Sequence, residues 1–149
     1  YSGVGLLTAQ LAMRMQNANI ISVEIEPSAS SDAEKLMQSL GLSDRVQCIC
    51  DDAKHYLDKN DKKSARNSNG NSNEKRRALI LDPPRRGCDR EVLERATGFD
   101  KIVYISCNPQ TLARDIKILS EEYDIEFVKP FDMFPQTANV ECVALLVKK

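Results

Sequence analysis

The feature that most constrains this chain is an alternation of short β-branched runs with stretches of helical spacing. "NIISVEIEP" (19–27), "RVQCICDDA" (45–53), "ALILDPP" (78–84) and "KIVYISC" (101–107) read as strands. "SASSDAEKLMQSLGL" (28–42), "DREVLERAT" (89–97) and "PQTLARDIKILSEEY" (109–123) read as helices, with Gly41 and Gly98 placed to end the first two. The opening "YSGVGLLTAQLAMRM" is a Gly-rich turn running into a helix, with Leu7, Leu11 and Met15 at helical spacing. Such alternation predicts an α/β, Rossmann-like fold: a mostly parallel sheet with helices on both faces. "IEFVKPFDMF" (125–134) and "VECVALLVKK" (140–149) follow with no helix between them, which predicts a C-terminal antiparallel hairpin at the sheet edge. The pattern calls for a first strand ahead of Tyr1.

A chain of 149 residues fits one domain around one core. The formal net charge is -1, so any nucleic-acid surface must be a local patch rather than a bulk property. No apolar run approaches the ~20 residues of a membrane span, and no secretory leader opens the chain. The expectation is a cytoplasmic protein, or an organellar one in a eukaryote, acting as a monomer. Cys48, Cys50, Cys88, Cys107 and Cys142 are odd in number and irregularly spaced, which argues against a disulfide framework. Cys48 and Cys50 lack a second Cys/His pair at zinc spacing, so no metal site is expected. "DKNDKKSARNSNGNSNEKRR" (58–77) is rich in Asn, Ser and charge and reads as a disordered insertion. Its basic residues leave a nucleic-acid arm open as an alternative.

The predicted carboxyl edge of the sheet gathers candidate site residues, and ligands of open α/β sheets bind along that edge. Gly3 and Gly5 permit a tight strand-to-helix turn, but Thr8 stands where a dinucleotide fingerprint wants Gly or Ala. Glu24 ends the next strand, where an acid can hold ribose hydroxyls, and Asp52 follows the third. A nucleoside with few or no phosphates fits this set, and S-adenosylmethionine is one. The bland alternative is that Glu24 and Asp52 are solvated acids at strand ends.

Asp82 ends the fourth strand, and Pro83-Pro84 fix a rigid turn after it. Arg85 follows where amine methyltransferases carry an aromatic residue, leaving a cationic loop suited to phosphate. Cys107 ends the fifth strand, and Asn108-Pro109 opens the next helix. A helix N-terminus favours a thiolate. A buried structural thiol is the equal alternative on position alone.

"DPPRRGCD" (82–89), "KIVYISCNPQTLARDIKIL" (101–119) and "DMFPQTANVECVALL" (132–146) together resemble the uracil-C5 RNA methyltransferases of tRNA and rRNA. The resemblance spans nearly the whole chain apart from the polar insertion. It implies a class I methyltransferase fold, S-adenosyl-L-methionine as cofactor and RNA as partner. It implies Cys107 as nucleophile and Glu141 as general base. It assigns cofactor contacts to the Gly3–Gly5 loop, with Tyr1 beside it, and to Glu24, Asp52 and Asp82. Arg85, Arg86, Asn108 and Arg114 are candidate RNA contacts, and each arginine reads equally as a solvated helix or loop charge. Where the family usually has histidine, two residues before the base, this chain has Asn139. Its one histidine, His55, sits in the helix-like "DAKHYLDK" (52–59) and reads as a surface residue. Two rival functions share these features: a methyltransferase of another substrate class on the same fold, and a non-catalytic RNA-binding remnant.

Overall fold

The computed structural model describes residues 1–64, 76–137 and 139–149. It forms two compact units, Tyr1–Tyr56 and Leu57–Lys149. The elements in chain order are α1 (Leu6–Arg14), β1 (Ile20–Glu24), α2 (Pro27–Ser39), β2 (Val46–Cys50), α3 (Ala53–Ser64), β3 (Ala78–Leu81), α4 (Arg90–Ala96), β4 (Lys101–Ser106), α5 (Pro109–Leu119), β5 (Tyr123–Phe131) and β6 (Glu141–Lys148).

In the first unit β1 and β2 pair in parallel. α1 buries Thr8, Ala9 and Ala12 rather than the Leu7, Leu11 and Met15 stripe, and Leu7 and Met15 are exposed. Small side chains let α1 approach α2 and β1 closely, and they join Met37, Leu42 and Val46 in one core cluster. Thr8 is buried with its hydroxyl 3.2 Å from that of Ser22, so the position that departs from the dinucleotide pattern is a satisfied packing site. α2 starts with Pro27 in its first turn. It ends in a Schellman motif: Gly41 N–H donates to Gln38 O at 3.1 Å and Leu42 N–H to Met37 O at 2.9 Å, with Gly41 at φ 67°.

The second unit holds a four-stranded sheet in the order β3-β4-β6-β5. β3 and β4 are parallel, and β6 runs antiparallel to both β4 and β5. The C-terminal hairpin is present as expected, with β5 on the edge and β6 inserted beside β4. Burial alternates along β4 and β6. Ile102, Tyr104, Ser106, Cys142, Ala144 and Leu146 are buried, and with Leu93 of α4 and Leu112, Ile116 and Leu119 of α5 they supply the buried core. Tyr123 fixes the start of β5, its hydroxyl donating to the carbonyls of Ala96 at 2.8 Å and Phe99 at 2.6 Å.

α3 corrects one expectation. Residues 58–64, read as the start of a disordered insertion, continue a helix from Ala53. Asp52 starts that helix: its Oδ1 accepts from the backbone N–H of Lys54 at 2.9 Å and of His55 at 3.3 Å. The expectation for 65–75 lies outside the described residues. Arg77 is ordered, its guanidinium 4.5 Å from the Phe99 ring centroid. Among the described residues no helix is long and apolar enough to cross a membrane.

Candidate active site

In the first unit, the Gly-rich turn and Glu24 form one structure. Glu24 Oε2 accepts from Gly3 N–H at 2.7 Å and Ser2 N–H at 3.0 Å, and Oε1 accepts from Glu26 N–H at 3.0 Å. The Tyr1 nitrogen donates to Val23 O at 2.8 Å. Burial works to raise the Glu24 pKa, but the N–H donors of Glu26, Gly3 and Ser2 help outweigh it and hold the carboxyl below its usual value. An anionic carboxylate at a strand end, with lone pairs to spare, is an acceptor for a vicinal diol. Gly3 and Gly5 differ in kind. Gly3 has φ 54° and open space where a Cβ would point. Gly5 has φ 81°, and its Cβ would lie 2.9 Å from Ala33 Cβ, so glycine there serves the packing of α1 on α2. Asp52 lies beyond the end of β2, beside β1, with one carboxylate oxygen already used to start α3.

In the second unit, strand register brings the chemical candidates to one edge. β4 and β6 pair without a break from Lys101↔Val147 to Ser106↔Cys142. Continued one step beyond the last pair, that register runs to Cys107, in the bend just after β4, and to Glu141, the first residue of β6. Glu141 shares the β6 face of Val143 and Leu145, opposite the buried core. Cys107 and Glu141 are each half-buried. On the other flank of Glu141, the β5 register sets Phe131 directly opposite it. The pair Leu81↔Tyr104 likewise carries Asp82 to Ile105 at the next step, onto the same face. Loss of hydration pushes the Asp82 carboxyl pKa up.

The turn after Cys107 is tightly made. Asn108 Oδ1 caps α5 by accepting from Gln110 N–H at 3.1 Å, and Pro109 opens the helix. Ser106 Oγ donates to Asn108 O at 3.0 Å and accepts from Asn108 N–H at 3.1 Å. Asn108 Nδ2 donates to Arg85 O at 3.1 Å, so this residue is engaged in building the turn.

Asp115 is the functional-site residue that sequence reasoning missed. It is fully buried. Its Oδ2 accepts from Cys88 N–H at 2.8 Å and from the Tyr104 hydroxyl, and its Oδ1 from Arg114 Nε at 2.8 Å. Arg114 Nη2 also donates to the carbonyls of Arg86 at 3.0 Å and Cys88 at 3.3 Å. The pair therefore clamps the loop that follows Asp82. Gly87 completes the fit, with φ 81° and Asp115 Oδ2 only 2.5 Å from where a Cβ would stand. A signal existed: Asp115 shares the apolar stripe of Leu112, Ile116 and Leu119. Arg114 is thus occupied within the protein. Arg86 is 72% exposed at its side chain, 3.7 Å from Asp89.

The five cysteines differ sharply in setting. Burial pushes the Cys88 thiol up to about 12, and burial also raises Cys142. Cys107 is half-buried and Cys50 exposed. In full-length protein treated with iodoacetamide at pH 8.5, Cys107 and not Cys88 or Cys142 is expected to be carbamidomethylated, read by peptide mass spectrometry; labelling of Cys88 in native protein would contradict this. No group of three or more His, Cys, Asp or Glu able to hold a metal occurs among the described residues.

Comparison with known proteins bears on the family and the fold. The family profile described as tRNA (Uracil-5-)-methyltransferase matches residues 1–149. The chain is 35% identical over 151 residues to a protein called an uncharacterized RNA methyltransferase in Listeria innocua, covering 100% of this chain and 30% of that protein. A similarly named Bacillus cereus protein is 36% identical, with the same coverage. The chain thus spans about a third of the length of these relatives. Among solved structures, it matches the Pyrococcus abyssi tRNA (uracil-54, C5)-methyltransferase, crystallised with S-adenosyl-L-homocysteine, at TM-score 0.76 and 30% identity. That match covers 99% of this chain and 33% of the other. A SAM-dependent O-methyltransferase from Thermotoga maritima matches at TM-score 0.65 and 15% identity, covering 99% and 57%, a likeness of fold alone. With all of residues 1–149 matched by that profile, the chain belongs to the tRNA (uracil-5-)-methyltransferase family.

Proposed function

We propose that this chain is the catalytic region of an enzyme that methylates C5 of a uridine in RNA, with S-adenosylmethionine as methyl donor. The observation that best supports the reading is the β4/β6 register, whose last pair, Ser106↔Cys142, adjoins Cys107 on one strand and Glu141 on the other. Uracil C5 is too weakly nucleophilic to take a methyl group unaided. Thiolate addition by Cys107 at C6 forms a C–S bond and moves the C5=C6 electron pair onto C5 as an enolate. Bound S-adenosylmethionine supplies an electrophilic methyl group, its sulfonium becoming a neutral thioether. Glu141 then accepts the C5 proton, the C–H electrons restore C5=C6, and the thiolate leaves. Glu24 would hold the donor's ribose hydroxyls, with Gly3 leaving the backbone open beside it and Tyr1, Gly5 and Asp52 as further candidate cofactor contacts in the same unit; Asp82, in the second unit, is a candidate of the same kind. Arg86 is the freest candidate for an RNA phosphate. The target base must leave its stack to reach Cys107.

Full-length protein, S-adenosylmethionine and bulk tRNA and rRNA from cells fed 5-fluorouracil test this. Fluorine at C5 blocks the final proton removal, so the enzyme should be held as a denaturant-resistant RNA adduct mapping to Cys107, and Cys107→Ala should give none. A parent protein that forms no adduct, indistinguishable from Cys107→Ala, overturns the reading.

A further inference from the structure

Arg85 reaches toward both halves of the proposed chemistry. Its carbonyl accepts from Asn108 Nδ2 and from Thr111 Oγ1, each at 3.1 Å. Asn108 directly follows Cys107 and caps α5. Its guanidinium Nη2 donates to Asn139 Oδ1, two residues before Glu141. The loop carrying Arg85 is itself anchored, through Cys88 N–H on Asp115 and Arg114 on the carbonyls of Arg86 and Cys88. One residue therefore links the cysteine turn to the approach to the carboxylate. Asn139 suits this link. An amide oxygen accepts from a guanidinium at every pH, whereas a protonated imidazole has no acceptor and repels it.

We propose that Arg85 is a positioning residue, holding the segment that bears Glu141 in place against the Cys107 turn, with its guanidinium committed to Asn139 rather than to an RNA phosphate. The proposal rests on the uracil-C5 reading only for its effect on turnover. A hydrogen bond to a charged group corresponds to a factor of about 10 to 100 in equilibrium.

The experiment compares full-length Arg85→Ala, Asn139→Ala and the double variant with the parent. Hydrogen exchange is expected to rise about 10-fold or more in the peptide covering 139–142 and to stay unchanged in β4 in each variant. Exchange in 139–142 equal to the parent's overturns the proposal whatever the activity. On 5-fluorouridine RNA the single variants should still form the Cys107 adduct. On uridine RNA their kcat should fall by about 10- to 100-fold. The double variant should be no worse than either single, as expected of two ends of one contact. Losses that multiply in the double variant, or a raised KM for RNA with a shallower salt dependence and unchanged kcat, would instead make Arg85 a phosphate contact. If the parent forms no adduct, the reading of the reaction fails, and the exchange result still decides the role of Arg85.

Discussion

Full-length protein carrying Glu141→Gln, given S-adenosylmethionine and RNA with ordinary uridine, is expected to accumulate covalent protein–RNA adduct while product formation falls by about 10²- to 10⁴-fold. In the proposed reaction, addition of Cys107 at C6 and methylation at C5 precede proton removal, and neither needs a base at 141. Glutamine keeps the size and hydrogen-bonding reach of the side chain but cannot take the C5 proton. The half-buried position of Glu141, one register step from the Ser106↔Cys142 pair, gives it this access. Denaturing gels on uridine RNA, with and without heat, measure the adduct, and quantitation of 5-methyluridine measures turnover. Unchanged turnover would remove Glu141 from the mechanism. Loss of turnover with no adduct would move its role ahead of methylation.

The second large effect is structural. Asp115→Ala is expected to destabilise the β3-β4-β6-β5 unit by about 3–5 kcal/mol. The carboxylate has no solvent exposure, and its removal leaves the Cys88 N–H and the Tyr104 hydroxyl buried without their acceptor. Arg114 suffers less, because its side chain is 53% exposed and can turn to water. That loss is a large share of the ~5–15 kcal/mol that holds a domain folded. In the full-length protein the clean measure is hydrogen-exchange protection of β4 amides, which should drop by about a hundred- to a few-thousand-fold. Asp115→Asn should cost less, since an amide oxygen in place of Oδ2 still accepts from both the Cys88 N–H and the Tyr104 hydroxyl. Equal protection in Asp115→Ala and parent would show that the node carries no net stability.

Much of this arrangement was legible in the sequence, for local reasons. β4, the Cys107 turn and the start of α5 follow from an apolar run meeting Asn108-Pro109, where a cap and a first-turn proline have one physical solution. Glu24 at the end of β1 and the Gly41 stop were equally readable. What failed was non-local. The spacing of Leu7, Leu11 and Met15 marked a helix, and α1 is one, but which face it buries was not local information: close approach to α2 selects Ala9 and Ala12. The helix-like stretch around His55 is the start of α3, whose continuation to Ser64 lies in a composition of Lys, Asp and Asn with little apolar surface. The insertion of β6 beside β4 joins residues more than 30 positions apart, and no local pattern encodes it. Yet that placement sets Cys142, the neighbour of Glu141, opposite Ser106, the neighbour of Cys107. Asp115 was passed over because a charged residue in a helix is ordinarily solvated.

The unbroken β4/β6 ladder also sets where the gene can change length. The β5/β6 pairing absorbs a bulge between Ile125 and Phe127, so that seam already accommodates an extra residue. The connection ahead of Asn139 can lengthen or shorten without altering which β6 residue meets which β4 residue, provided the contact of Asn139 with Arg85 is kept. A single-codon deletion between Val143 and Val147 is another matter. Side chains repeat every two residues, so keeping the core face of β6 buried would force Glu141 to the opposite side of the sheet from Cys107. Reading-frame-preserving indels within β6 should therefore be inactivating, while the same indels in the preceding connection are far better tolerated.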